Sequence, residues 1–138
     1  MTWTIEQFMT RSVYTIGHHQ PLSAAQRIMR EHAIRHLPVL DAGKLVGVLS
    51  ERDLQVIAAL NDDEHDELKV SEAMSAEVFA ISPRTSLREV VVEMAKQKYG
   101  CAVVIDQARV VGVFTTIDAL EALALFLAGP VESSQQRQ

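Results

Sequence analysis

The amino-acid sequence predicts an α+β fold made from one β-α-β-β-α unit used twice, the two units packed sheet to sheet with pseudo-two-fold symmetry. Three features of the chain predict it. First, the chain repeats itself without a gap. Met9 aligns with Met74, an offset of 65 (74 minus 9) that also pairs Val13 with Val78, Ile16 with Ile81, Leu22 with Leu87, Met29 with Met94, Val39 with Val104, Gly47 with Gly112 and Asp53 with Asp118. Self-similarity of this kind marks a duplicated supersecondary unit. Second, each copy alternates β-rich runs with stretches whose apolar residues recur at helical spacing. Third, the chain has 138 residues. A unit of about sixty residues with a small sheet buries too little apolar surface to stand alone, so the two must pack on each other.

The elements follow in order. A short helix near Ile5–Met9 leads to a strand over Val13–Ile16, and the turn-forming GHHQP precedes a helix with Leu22, Ala25, Ile28 and Met29 on one face. HLPVL and KLVGVLS are strands joined by DAGK, whose glycine suits the left-handed position of a tight hairpin. The helix ERDLQVIAAL closes the first unit, residues 1–60. After the acidic linker NDDEHDELK, residues 61–69, the second unit occupies 70–128 and the polar tail 129–138. Its elements are strand VFAI, helix SLREVVVEMAKQK opened by a Ser86-x-x-Glu89 capping box, strands CAVVI and RVVGVFT, and helix TIDALEALALFLA.

Composition narrows the function. A formal net charge of −5 argues against a nucleic-acid binder working through a general basic surface, which needs clustered Lys and Arg. The single cysteine, Cys101, lies in the apolar run CAVVI; it is expected to be a buried structural thiol in a reducing cytoplasm, and a redox-sensing role for it is the weakest of the functions weighed. No run reaches membrane-spanning length, and the N-terminus lacks the pattern of a signal peptide. The acidic linker has neither EF-hand spacing nor a glycine turn, and no metal site is assigned to it. His18 and His19 are expected in an exposed turn, His32 on the polar side of a helix, and no histidine pair shows zinc-site spacing. Trp3 and Phe8 are expected to seat the N-terminal helix on the module or on a partner subunit.

The chemistry concentrates in two phrases, GVLSERD (47–53) and GVFTTID (112–118), each running Gly, two apolar residues, a hydroxyl, two variable residues and Asp. Each hydroxyl ends a strand and opens a helix. One reading is a helix cap, in which the hydroxyl accepts a backbone N–H and the carboxylate reaches back. The other is half of a ligand site: free N–H groups at the helix start favour an anion, and a carboxylate one turn on can accept bonds from a ribose diol, as in dinucleotide folds. Arg35, His36 and Arg52 could supply positive charge for a phosphate. No nucleophile with a base partner and no phosphate-binding Gly-rich loop is present, so catalysis is not expected.

With FMTRSVYTI and AMSAEVFAI, IRHLPVLD and YGCAVVID, and GVLSERD and GVFTTID in gapless register, the chain from about Ile5 to Ala128 resembles a tandem pair of cystathionine β-synthase (CBS) domains, a Bateman module. The resemblance implies two clefts between the repeats that hold adenosine-containing ligands: AMP, ADP, ATP or S-adenosylmethionine. It also implies that each cleft joins the hydroxyl and Asp of one repeat to base-contacting strands of the other. One cleft would combine Thr115 and Asp118 with Val13, Tyr14, Ile34, Arg35 and His36; the other would combine Ser50, Arg52 and Asp53 with Val78, Phe79, Tyr99 and Gly100. Tyr99 in place of Ile34, and Val103 in place of Pro38, make the clefts unequal, with the Arg35/His36 cleft the stronger candidate. The expected function is a regulatory sensor, homodimeric through its helices and signalling to a protein partner not identified by sequence. The rival is a ligand-free dimerising scaffold whose phrases only cap helices.

Overall fold

The computed structural model describes residues 2–11, 13–60 and 68–129; the linker core and the tail considered above lie outside them. A 3-10 turn at Ile5–Gln7 is followed by β1 (Ile16–Gly17), α1 (Leu22–His32), β2 (His36–Asp41), β3 (Lys44–Ser50) and α2 (Glu51–Leu60). The second half repeats the plan with α3 (Val70–Ala73), β4 (Ala80–Ile81), α4 (Leu87–Gln97), β5 (Cys101–Asp106), β6 (Arg109–Thr115) and α5 (Thr116–Leu127). Two three-stranded sheets result, in the orders β1-β2-β3 and β4-β5-β6. In each, a parallel pair precedes an antiparallel hairpin. His36 stands opposite Ser50, and Cys101 opposite Thr115.

Turn chemistry explains the hairpins. Both central residues are left-handed in each, Ala42 and Gly43 with φ of 52° and 83°, Gln107 and Ala108 with 53° and 65°, the turn whose twist matches that of paired strands. One left-handed glycine was the expectation, and each hairpin takes two such residues. The first strand of each unit is shorter than the β-rich run: Val13 and Tyr14 lie outside β1, and Phe79 outside β4. At α4 only half of the expected capping box forms, with the Ser86 hydroxyl accepting the Glu89 N–H at 3.3 Å.

Each half has its own core, yet each core borrows a segment from the other half. Leu22, Ala25, Met29, Leu37, Val39 and Leu49 enclose Val70, with Ala73 and Met74 packed against them. Leu87, Val90, Met94, Ala102, Val104, Phe114 and Ala122 enclose Ile5, with Phe8 and Met9 alongside. The helix near Ile5–Met9, read from sequence with the unit it precedes, therefore seats on the other one. Trp3 holds it there, its ring 5.8 Å from Phe8 and 5.7 Å from Phe126 on α5.

Backbone pairing fixes both crossings. Thr10 and Val113 exchange hydrogen bonds of 2.8 and 3.0 Å, and Val48 and Ser75 exchange bonds of 3.0 and 2.9 Å. The chains approach this closely because the neighbouring residues are glycines. A Cβ on Gly112 would lie 2.8 Å from Met9 Sδ and 2.9 Å from the Thr10 carbonyl oxygen; on Gly47 it would lie 2.5 Å from Met74 Sδ and 2.8 Å from the Ser75 carbonyl oxygen. The glycine of each repeated phrase thus serves the crossing. Gly47→Ala and Gly112→Ala should each lose about 1–3 kcal/mol in urea unfolding through overpacking. Gly17→Ala, whose Cβ would meet only Gln20 Cγ at 3.8 Å, should change stability by no more than about 0.5 kcal/mol.

Candidate functional site

Both phrases form the helix cap in full. The Asp53 N–H donates to Ser50 Oγ at 3.0 Å and the Ser50 N–H to Asp53 Oδ2 at 2.9 Å. The Asp118 N–H donates to Thr115 Oγ1 at 3.2 Å and the Thr115 N–H to Asp118 Oδ2 at 2.9 Å. The next N–H in each helix is also taken, Glu51 by the Arg35 carbonyl at 2.8 Å and Thr116 by that of Gly100 at 3.1 Å. Of the first four N–H groups of α5, this leaves the Ile117 N–H without a partner among the described residues. The several free donors expected at the helix start are reduced to one.

The expected residues of the first cleft do come together. Val13, Tyr14, Ile34, Arg35 and His36 line one wall, and Thr115 and Asp118 the other, of a cavity of about 420 Å³, within the size range of small-molecule sites. Local structure puts them there. Ala33 takes a left-handed conformation (φ 53°) that ends α1, and the chain then passes through Ile34 and Arg35 into β2. Among the described residues Asp118 is the sole buried charged side chain, 8% exposed. Its carboxylate accepts the Thr10 hydroxyl at 3.0 and 3.2 Å and the Thr115 hydroxyl at 3.3 Å.

Six lining residues were missed from sequence, and two of them, Thr10 and Glu121, bear on the chemistry of Asp118. Thr10 reaches the cleft only because its segment crosses to the other half; its alignment with Ser75, another hydroxyl, was the available signal. Glu121 stands three positions beyond Asp118, on the same face of α5. Electrostatically the cleft is not basic. Arg35 is exposed and 4.0 Å from Glu51, a separation at which a surface pair contributes little. Burial lowers the pKa of His36; Arg35 adds to the effect while Asp53 and Glu51 oppose it. The ring is therefore neutral at pH 7 and offers one donor and one acceptor. One arginine faces the carboxylates of Asp118 and Glu121.

The departure at Pro38 has a structural consequence. In the second half the Val103 N–H donates to the Phe79 carbonyl at 2.9 Å. The counterparts are Pro38 and Tyr14, and proline has no N–H. Among the described residues nothing donates to the Tyr14 carbonyl, which is left as a free acceptor of a residue that lines the cleft. The Tyr14 ring stacks on His32, centroids 3.8 Å apart and planes 15° from parallel.

The residues of the second set have different surroundings. Phe79 and Tyr99 pack on each other at 5.2 Å and against the second core. Tyr99 and Gly100 line a different cavity, an apolar groove of about 1080 Å³ between α4 and α5. Ser50 and Asp53 are engaged in their cap, Arg52 is exposed, and Val78 is half-buried. The His36 ring also covers this side, since a Cβ on Gly100 would lie 3.1 Å from its Nε2. Cys101 is buried, and burial pushes its thiol up to about 12, which keeps it protonated and inert near neutral pH.

Comparison with known proteins places this geometry in a family. The CBS domain family model matches residues 5–57 and 70–125. A solved structure of a Vibrio cholerae protein provisionally assigned to acetoin utilization (AcuB) superposes with a TM-score of 0.81 at 32% identity, covering 93% of this chain and 96% of that one. The CBS domain pair of protein MJ0100, solved in complex with 5′-methylthioadenosine and S-adenosyl-L-methionine, superposes with a TM-score of 0.79 at 26% identity, covering 88% and 99%. The bovine (Bos taurus) 5′-AMP-activated protein kinase subunit gamma-3 is 30% identical over 117 residues, which span 79% of this chain and 24% of that subunit.

Two measurements test the local account. Asp118→Ala should cost about 0.5–2 kcal/mol as a lost cap, read by urea unfolding. The His36 shift gives a pH dependence: stability is fully present above the ordinary pKa of 6.5 and is lost as pH falls through the lower folded value, where the buried ring must charge. His36→Gln should flatten the fall in unfolding midpoint between about pH 7 and pH 5.

Proposed function

The chain belongs to the CBS domain family, and from that premise we propose that it is a regulatory module that binds one adenosine-containing ligand in the cleft between Tyr14 and Asp118. The free Tyr14 carbonyl carries this reading. It is an acceptor suited to the exocyclic amino group of adenine, beside the apolar surfaces of Val13 and Ile34. Asp118 is placed to accept the ribose hydroxyls, and Arg35 and the Ile117 N–H to meet a group beyond the ribose. The charge balance favours a ligand with little negative charge. AMP, S-adenosylmethionine or a thioether nucleoside fits a cleft with one arginine and two carboxylates better than ADP or ATP does.

Regulation follows from the Thr10 hydroxyl. Ribose hydroxyls on Asp118 displace it, so the ligand acts on the crossing as well as on the cleft. A ligand shifts the module by as much as its affinity differs between the two states. The reading is regulatory rather than enzymatic and set in the cytoplasm. No helix among the described residues is long and apolar enough to cross a membrane. A homodimer would cover the groove between α4 and α5 and the exposed Leu120, Leu123 and Leu127, leaving other faces for a protein partner.

The rival reading, a ligand-free dimerising scaffold, is favoured by the completeness of both caps. Isothermal calorimetry separates the two. AMP or S-adenosylmethionine should bind at one site per chain, with ATP at least about tenfold weaker, and Asp118→Ala should weaken binding at least about tenfold through loss of a charged hydrogen-bond acceptor. Asp53→Ala should leave binding unchanged. Absence of heat with all three ligands would leave the scaffold. Leu123→Glu should shift the dimer to monomer in light scattering, because it places a charge in the apolar interface.

A further inference from the structure

Apart from the cleft, one cluster of metal-ligating side chains stands out among the described residues. His18 and His19 are the central residues of a tight turn closed by the Gln20 N–H donating to the Gly17 carbonyl at 3.1 Å. β1 runs parallel to β2 with Gly17 beside Leu40, which sets His18 next to Asp41. His18 is anchored on both sides: its N–H donates to the Leu40 carbonyl at 2.9 Å, and its carbonyl accepts the Ser71 N–H at 3.0 Å. The two imidazole rings lie 3.8 Å apart between centroids. One ligand atom from each of His18, His19 and Asp41 falls within 4.8 Å of the others.

The contact between His18 and Asp41 is the telling one. His18 Nε2 lies 3.0 Å from Asp41 Oδ1, yet this buried nitrogen has no hydrogen-bond partner among the described residues. The oxygen is near enough but out of line for an N–H donor. A buried polar atom left unpaired is costly. Two atoms bound to one tetrahedral zinc ion at about 2.0–2.1 Å sit about 3.3 Å apart, with lone pairs converging on the ion and not on each other. The 3.0 Å between His18 Nε2 and Asp41 Oδ1 is close to that spacing. The placement also differs from the expectation that both histidines are simply exposed: His18 is half-buried while His19 and Asp41 remain open to solvent.

We propose that His18, His19 and Asp41 form a binding site for a divalent zinc-like ion, with the remaining coordination position open to water. Two imidazoles and a carboxylate suit Zn²⁺ and its neighbours Ni²⁺ and Cu²⁺, and are too nitrogen-rich for Mg²⁺ or Ca²⁺. The site is independent of the nucleoside cleft. Through Ser71 it adjoins α3, the segment that the second half lends to the first core, so the ion fastens that crossing.

Competition for Zn²⁺ against a colorimetric chelator, with the full chain in metal-free buffer, tests the site. The wild type should take up one Zn²⁺ per chain, and His19→Ala and Asp41→Asn should each weaken uptake at least about tenfold, since even loss of groups behind the ligands has effects of that size. His19 is exposed, so its variant should keep the wild-type circular dichroism spectrum. His65→Ala, in the acidic segment between the repeats, should bind as the wild type does. No uptake by the wild type, or uptake kept in His19→Ala and Asp41→Asn, would overturn the proposal, as would uptake lost in His65→Ala.

Discussion

Two crossing segments, each joined to the opposite repeat by backbone hydrogen bonds, hold the molecule together. At Thr10 with Val113, and at Ser75 with Val48, a segment from one repeat pairs with the last strand of the other. Neither pairing tolerates a Cβ on the adjacent glycine without displacing a methionine sulfur and a backbone oxygen. Because the crossings exist, Ile5 completes the second core and Val70 the first. The seating of each half on the other, and the cleft between the halves, follow from this exchange. The methionines at 9 and 74 are well chosen for it, since a flexible thioether fits an irregular gap beside glycine better than a branched side chain does.

The crossing and the cleft meet at Thr10. Its backbone belongs to the joint and its hydroxyl to Asp118, while the same carboxylate closes the cap of α5. A carboxylate has about four lone-pair sites, enough to keep the cap and exchange Thr10 for another donor. The caps and a ligand are therefore compatible. In the other half Ser75 bonds within its own turn, to Glu77, and among the described residues no corresponding link joins it to Asp53, whose side-chain hydrogen bonds there are those of its cap.

Much of this was legible in the residues. The offset of 65 exposed the duplication, helical spacing placed α1 and α4, and the paired phrases located both helix starts. Residues from distant parts of the chain, such as Val13 and Asp118, were assigned to one cleft through the family resemblance rather than through spacing. What stayed hidden required three dimensions. Nothing in MTWTIEQFMT tells which core Ile5 enters, because both cores are equally apolar. The glycines at 47 and 112 read as parts of a ligand phrase until their neighbours were known. Glu121 carries no motif, and Thr10 only its alignment with Ser75. His18 and His19 lie far in sequence from Asp41, and a parallel strand pair brought them together.

The exchange of segments also sets the unit in which this fold can be handed on. A single repeat cut at its sequence boundary would leave with the wrong lead-in segment: residues 70–128 would carry Val70 away from the core it fills and leave Ile5 behind, exposing the surface around Phe114. Grafted into another chain, such a half would arrive with a vacancy and a misplaced plug. Two halves together are self-sufficient. Recombination between proteins can therefore move the pair as one piece and keep it intact, whereas half of it has no independent existence to transmit.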